Sequence, residues 1–383
     1  MRVWVLGRGF PEKGNNMLGS FEFEQAQMLQ RHGAEVWYPV VNICAPRETN
    51  RLFFSRRQCG GVTVVTLELP LAVSKLRRKK ESLRRYGLRI LFRYMLFRCG
   101  RPDVLHVHYP SIYPYGLFSG LQHSGVKLVG TEHWTRVQEK KLYPFPLACL
   151  KQSVQHYDAL LAVGEPLRNA ILELTGSDRE IQVVPNVVSD EFRYAPEEKR
   201  DGMFRFLGIG RLAACKRFDL MIRAFWDSFA DDRNVCLSIV GDGEERKNLE
   251  ALIRELGCGD RVTLHGVMDR KEVPAFYRQC SALAVSSNLE TFGVPIIEAM
   301  ASGLPVVTTD AMGFPSLFSE AHGLIVPADD RAAFAKALKS LYEGYGAYDR
   351  AAIARYSEAH FSEGVIASRL LDVYRNLTKK ETT

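Results

Sequence analysis

The strongest constraint on this chain is an alternation sustained along almost its whole length: short apolar runs separated by helix-length amphipathic segments. The runs Arg2–Gly9, Glu35–Val40, Val62–Leu67, Asp103–Tyr109, Lys127–His133, Ala159–Gly164 and Ile181–Asn186 form one series. Phe204–Gly210, Val235–Gly241, Arg261–Gly266, Ala282–Ser287, Pro305–Thr309 and Gly323–Pro327 form a second. Between them lie helical patterns such as Leu167–Leu174, Phe218–Phe229, Glu245–Leu256 and Ala332–Tyr342. Continuous apolar runs suit strands buried on both faces, and a helix between successive strands makes them parallel. The predicted class is therefore α/β, with doubly wound parallel sheets covered by helices.

The two series are separated by VVSDEFRYAPEEKRDG, residues 187–202, which is polar, rich in charge and follows neither periodicity. It reads as a linker between an N-terminal domain, 1–186, and a C-terminal domain, 203–360. A last helical pattern, about 361–383, follows the second series, and tails of this kind can pack back on the first domain. Two domains also suit 383 residues, because single cores stop growing beyond ~250–300 residues. No run of ~18 uncharged apolar residues occurs, so no transmembrane helix is expected. The stretch MRVWVLGRGF reads as a buried first strand rather than a signal peptide. The eight cysteines show neither C-x-x-C pairs nor Cys/His metal spacing, which points to free thiols in a reducing, cytoplasmic compartment.

The net charge of +7 is uneven: residues 1–200 carry 29 basic and 19 acidic side chains, residues 201–383 carry 22 and 25. The first half is thus expected to face something anionic. Much of the excess lies in SKLRRKKESLRRYGLRILFRYMLFRCGR, residues 74–101, where only Glu81 opposes the basic side chains. Leu76, Leu83, Ile90, Leu91, Tyr94, Met95 and Phe97 recur there at mostly helical spacing. Two readings fit: a solvated helix packed by one face on its domain, or an interfacial helix at anionic lipid headgroups of the inner plasma-membrane face. Nucleic acid is not expected, since no reading motif accompanies the charge.

Doubly wound sheets bind ligands at the carboxyl ends of their strands, and three features of the second series fall there. LGIGRLAACKRFD places Gly208 and Gly210 at a strand end, followed by Arg211 and Lys216, two cations able to clasp a pyrophosphate. SIVGDGEER ends a strand with Gly241, Asp242 and Gly243, where glycine permits a tight turn and a close approach. SSNLETFGVPIIEAMASGLPVVTTD carries Glu290, then Thr291, Phe292, Gly293 and Val294, then Pro295 at a first-turn position. A helix over Val294–Ala301, ended by Gly303 as the C′ residue, would aim its N-terminal N–H groups out of the strand end, where phosphate is favoured. Glu298, one turn in, suits a ribose diol; Glu290 suits sugar hydroxyls. Singly, each feature has a plain explanation: surface cations, a βα turn, a loop glutamate and a helix-dipole glutamate. Three at successive strand ends fit one diphosphate-bearing ligand.

ETFGVPIIEAMASGLPVV with GRLAACKRFD and VGDG resembles the donor domain of the retaining glycosyltransferases of family 4. The likeness continues through AVGEPLRNAILELTG, VVPNVV and RVTLHGVMDRKEVPAFYRQCSALAVSS, covers most of residues 1–375 and is strongest over 159–327. It implies the GT-B architecture, two Rossmann-like domains facing across a cleft. It implies that Glu298 binds the donor ribose and Glu290 the donor sugar, that Arg211 and Lys216 hold the diphosphate, and that the backbone of Thr291–Val294 helps seat phosphate and sugar. Gly266 and Val267 match positions whose backbone contacts the base. No metal or other cofactor is implied. In the first domain the family's loop glycine maps to Gly14, although GNNMLGS stands where a double glycine is usual. His133 matches a position that reaches the donor sugar, whereas His106 and His108, alternating on one side of their strand, also suit a core edge. Glu132, Trp134, AVGE and Val187 depart from the commonest neighbours.

The activity so implied is metal-independent, retaining transfer of a hexose-type sugar from a nucleotide-diphosphate sugar to a glycan or lipid-linked saccharide, in bacterial-type polysaccharide or lipopolysaccharide biosynthesis. Two alternatives are a retaining glycosidase using Glu290 and Glu298, and a non-catalytic protein binding through residues 74–101. The first leaves the phosphate-binding cations without purpose. A nicotinamide-dependent oxidoreductase is a poor fit, because LGRGFPEK lacks the third glycine of the dinucleotide fingerprint at its required spacing.

Overall fold

The computed structural model describes residues 1–11, 19–44, 53–70, 77–196 and 202–379. Fourteen strands lie among them: Arg2–Leu6 (β1), Glu35–Cys44 (β2), Phe53–Cys59 (β3), Val62–Pro70 (β4), Val104–His108 (β5), Lys127–Glu132 (β6), Ala159–Ala162 (β7), Gln182–Val183 (β8), Phe204–Ile209 (β9), Val235–Val240 (β10), Val262–Gly266 (β11), Ala282–Val285 (β12), Val306–Thr309 (β13) and Gly323–Val326 (β14). They form two sheets, ordered β3-β4-β2-β1-β5-β6-β7-β8 and β11-β10-β9-β12-β13-β14. The chain order reverses between β1 and β5 in one sheet and between β9 and β12 in the other, and each reversal leaves a crevice at the carboxyl ends of those strands.

Every expected strand is present with shifted ends: Arg2–Gly9 ends at Leu6, Ile181–Asn186 shrinks to Gln182–Val183, and Glu35–Val40 and Val62–Leu67 run on to Cys44 and Pro70. One strand corrects the expectation of purely parallel sheets. Phe53–Cys59 was not expected, and it pairs antiparallel with β4 from Cys59↔Val62 to Phe53↔Glu68. Its exposed, arginine-bearing sequence hides it, since an edge strand has no second face to bury. The two-residue turn is nonetheless written in the chain: Gly60 and Gly61 both have positive φ, 56° and 82°, as a tight hairpin whose twist matches its strands requires.

Contacts divide the chain into two compact units, one of residues 1–163, 167–184 and 367–383, the other of 164–166 and 185–366. The segment read as a linker begins inside the second unit, and the last helix, Glu363–Thr378, passes from the second into the first. In the first unit Trp4, Leu6, Leu105 and Val107 pack against Leu88, Leu91, Phe92 and Met95 of the helix Arg77–Cys99. In the second, Phe206, Leu237 and Ile239 pack against Phe225 and Phe229 of Phe218–Phe229 and against Phe334 and Leu338 of Arg331–Glu343. Full burial of each such side chain contributes about 1.5–3 kcal/mol, so the central strands are held rigidly under the loops that leave their ends.

Candidate active site at the strand ends

In the second unit the loops after β9 and β12 are sewn together at the reversal point. The amide of Asn288 donates to the carbonyl of Cys215 at 3.0 Å. The buried Ser286 hydroxyl reaches the carbonyls of Lys216 and Arg217, each at 2.8 Å. Arg217 itself is left-handed, with φ 50°, a conformation that a side chain other than glycine holds only when its surroundings insist. The Ser286 bonds and ion pairs to Asp219 and Asp329 supply that insistence. Lys216, one residue earlier, is thereby aimed at Glu290, and its Nζ donates to Glu290 Oε2 at 2.5 Å. Both side chains are mostly shielded, at 24% and 13% exposure, so the pair is weakly screened. One cavity is lined by Lys216, Ser287, Glu290, Gly293, Pro295 and Ile296, among others.

The helix behind that cavity runs Val294–Ala301 as expected, with Pro295 in its first turn and left-handed Gly293 (φ 100°) as its N-cap; no side chain caps its N–H groups. It ends in a Schellman motif: Gly303, φ 69°, donates to Met300 O at 2.8 Å and Leu304 to Ala299 O at 2.8 Å. The Phe292 side chain is core, its ring tilted against Phe314 at 4.8 Å, so only its backbone is available to a ligand. Glu298 accepts a 2.9 Å bond from the buried Tyr277 hydroxyl, whose ionisation burial and Glu298 push well beyond the usual range.

The glycines at neighbouring strand ends serve two purposes. Gly241 has φ 136°, and a Cβ there would meet the carbonyl oxygen of Gly210 at 1.9 Å; one at Gly243 would meet that of Leu212 at 2.5 Å. The loops after β9, β10 and β11 are joined by Gly210 N–H to Val240 O at 3.0 Å and Gly241 N–H to Gly266 O at 2.8 Å. Gly241 and Gly243 are therefore demanded by close backbone packing. Gly210, with φ 151°, has open space where its Cβ would lie. Asp242 caps locally, accepting from Gly243 N–H at 2.7 Å, and Val267 is 80% exposed beyond β11. Arg211 is 74% exposed and pairs with Glu244 at 3.1 Å.

In the first unit the strand-end cluster is of another kind. Arg8 follows β1, lies 3.9 Å over the Tyr109 ring and donates to the buried Glu22 at 2.9 Å. His108 ends β5, and its Nδ1 lies 2.9 Å from Nε2 of His133, just beyond β6. His106 is fully buried between the Tyr374 hydroxyl, 2.6 Å, and the Thr131 hydroxyl, 2.7 Å, which makes it a tie between the sheet and the last helix. Glu132 is fully buried and accepts from the backbone N–H groups of His133 and Trp134, each 2.9 Å, and of Ser111, 3.2 Å. Burial raises its carboxyl above the usual range against those hydrogen bonds. Burial, then Arg8 and His106, push the His133 imidazole down to about 3, and burial drives His106 and His108 well below their ordinary value. All three rings are neutral at pH 7. Among the described residues no group of three or more His, Cys, Asp and Glu could hold a metal ion.

Residues 190–359 match the family described as Glycosyl transferases group 1, and residues 23–192 match Glycosyltransferase Family 4. A D-inositol 3-phosphate glycosyltransferase of Xylanimonas cellulosilytica is 30% identical, with 73% of this chain and 73% of the relative covered. The chain belongs to the group 1 glycosyltransferases. Its fold is GT-B: sucrose-phosphate synthase from Thermosynechococcus elongatus superposes with TM-score 0.77 at 21% identity over 98% of this chain and 99% of that one. Anabaena HepE, solved with UDP and glucose, superposes with TM-score 0.75 at 16% identity over 98% and 100%.

In this glycosyltransferase, then, Lys216, Glu290 and Gly293 share one cavity, while Arg211 lies on the exposed loop paired with Glu244. Glu298 is held from behind by Tyr277. Gly14, Asn15 and Asn16 lie outside the described residues. Ser286, Tyr277, Gly164 and Gly313 also shape this site. A Cβ at Gly164 would stand 2.4 Å from Thr291 O, and one at Gly313 would stand 2.3 Å from Phe292 Cα, so both glycines seat the Thr291–Phe292 backbone. No local pattern announces them, because the need arises from a chain segment far away in sequence.

Proposed function

We propose that this glycosyltransferase moves a hexose-type sugar, with retention of anomeric configuration and without a metal ion, from a nucleotide-diphosphate sugar to a glycan or lipid-linked saccharide. One observation carries the reading: a shielded lysine, a carboxylate and a helix N-terminus line a single cavity where the strand order reverses. As the glycosidic bond breaks, negative charge grows on the departing β-phosphate. Lys216 has three N–H donors and needs one for Glu290, so the others can meet phosphate oxygens. The uncapped N–H groups at Gly293 and Val294 add a fixed dipole to the same charge, and Arg211 a mobile cation. Glu298 accepts from the ribose diol and Glu290 from hydroxyls of the transferred sugar, and the family resemblance gives His133 a contact with the donor sugar. The backbone beside Gly241, Asp242, Gly266 and Val267 borders the nucleoside. Same-face attack lets the acceptor hydroxyl pass its proton to the leaving phosphate, which removes the need for a protein base.

The test is a panel of nucleotide sugars. One of them should raise the melting temperature, since selective binding stabilises the native state, and the product anomer should match the donor's. Transfer that persists at full rate in Lys216→Ala would falsify the phosphate assignment. Transfer abolished by chelator and restored by a divalent ion would remove the metal-independent part.

A membrane-borne acceptor is favoured by a second observation. The helix Arg77–Cys99 buries Leu88, Leu91, Phe92 and Met95 but leaves Tyr86 61% and Phe97 86% exposed, beside exposed Arg89 and Arg93. Aromatic and basic side chains on one outer face suit an anionic headgroup layer at the inner face of the plasma membrane. Among the described residues no helix is long and apolar enough to cross a membrane. Flotation with anionic liposomes should be salt-sensitive and reduced by Phe97→Ser; unchanged flotation would leave the acceptor off the membrane.

A further inference from the structure

The contact between His108 and His133 is open to two arrangements. In the first, His108 Nδ1–H donates to His133 Nε2. In the second, His133 Nε2–H donates to His108 Nδ1. Both rings are neutral, so each carries one ring proton, and the choice fixes the remaining nitrogens. The discriminating atom is His108 Nε2. His108 is fully buried, and this nitrogen has no hydrogen-bond partner among the described residues. The second arrangement would place a proton there, leaving a buried N–H donor without an acceptor. The first leaves only a lone pair, and orphaned N–H groups are the rarer of the two in folded proteins.

Among the described residues, the neighbouring polar groups are already engaged elsewhere. The Arg8 guanidinium is engaged by Glu22 and the Tyr109 ring. The Glu132 carboxylate accepts from three backbone N–H groups. His106, stacked 4.6 Å from His108, is bonded to Tyr374 and Thr131. The Tyr109 ring lies 5.0 Å from His133.

We infer that His108 sets the tautomer of His133, so that the partly exposed His133 ring carries its proton on Nδ1 and offers a hydrogen-bond donor, not a base, to an oxygen lone pair of its ligand. His108 is thus a positioning residue. The use of this donor in transfer rests on the proposed contact of His133 with the donor sugar; the tautomer itself does not. A ligand hydroxyl or phosphate oxygen is accepted through its lone pairs, and no proton leaves the ligand for His133.

The test uses full-length protein with 15N-labelled histidine, His133 being assigned by its loss in His133→Gln. Long-range nitrogen–carbon-proton spectra should show His133 as the Nδ1–H tautomer at pH 7, unchanged between pH 8 and 5.5. Asparagine and aspartate then separate the polarity of the contact from its size. His108→Asn offers an N–H donor and should keep the Nδ1–H form. His108→Asp offers an acceptor and should convert His133 to Nε2–H, with kcat/KM for the nucleotide sugar falling about tenfold, the scale of one hydrogen bond. Nε2–H in the wild-type protein overturns the inference, and that measurement stands even if His108→Asp fails to fold. A folded His108→Asp that retains Nδ1–H overturns the role of His108. Should the tautomers behave as expected while His133→Gln transfers sugar at the full rate, the inference holds and the contact between His133 and the donor falls.

Discussion

The two crevices of this glycosyltransferase are built on opposite principles. In the first unit, three neutral histidines, two of them fully buried, and a buried glutamate are bonded to strands, backbone and one another. In the second, the strand-end groups are charged and paired with one another: Lys216 with Glu290, exposed Arg211 with Glu244. The first is an assembled surface whose geometry is set before binding. On the proposed function, the second would exchange these pairings for stronger, charge-assisted bonds to a diphosphate.

The contrast can be broken most sharply at Lys216. Lys216→Ala should lower kcat/KM by ~100- to 1000-fold, about 2.7–4 kcal/mol of lost transition-state stabilisation, with a melting temperature close to wild type. A comparable loss of stability would make Lys216 a structural residue and erase the distinction.

Acid should discriminate the units next. Histidines whose folded pKa is depressed lose stability as pH falls below the unfolded value near 6.5, because the unfolded chain takes up protons that the native state refuses. Each contributes up to about 1.4 kcal/mol per pH unit, so His106, His108 and His133 together should cost about 3 kcal/mol between pH 6.5 and 5.5. Glu132, with its carboxyl raised, runs the other way: it favours the folded state as pH falls through its folded value toward the unfolded one near 4.5. Hydrogen exchange read separately on β5–β6 and β9–β12 should show the first unit loosening first. Equal loosening would mean that the histidine cluster is not the acid-labile element.

Glu132→Ala should destabilise the first unit by about 2–3 kcal/mol, since three inward N–H groups lose their acceptor, and Glu132→Gln by less. The smallest effects belong to the exposed pair. Arg211→Ala should raise the donor KM about tenfold, on the scale of one charge-assisted bond. Glu244→Gln, releasing Arg211, should lower it about twofold or leave it unchanged, as exposed pairs do. A tenfold rise on Glu244→Gln would show that the pair orients Arg211 rather than storing it.

Much of this arrangement is local and therefore legible in the chain. The apolar runs announced thirteen strands, and Pro295 and Gly303 marked the start and stop of the helix Val294–Ala301 through the fixed φ of proline and the freedom of glycine at positive φ. The hairpin strand Phe53–Cys59 escaped because an exposed edge needs no apolar face, although Gly60-Gly61 signalled its turn. The spacing of Glu290 and Glu298 suggested two grips on one ligand, but their immediate partners, Lys216 and Tyr277, lie 74 and 21 residues away.

By itself, then, the sequence determined the class of fold, the strand ends at which chemistry collects and the residue types gathered there, because periodicity, turn conformation and charge act over a few residues. Only the tertiary structure decided that Ser286 clasps the carbonyls of Lys216 and Arg217, that Gly164 and Gly313 make room for the Thr291–Phe292 backbone, and that His108 meets His133. Those contacts join segments separated by many residues. Their distances are set by the order in which the strands lie side by side, which no local pattern contains.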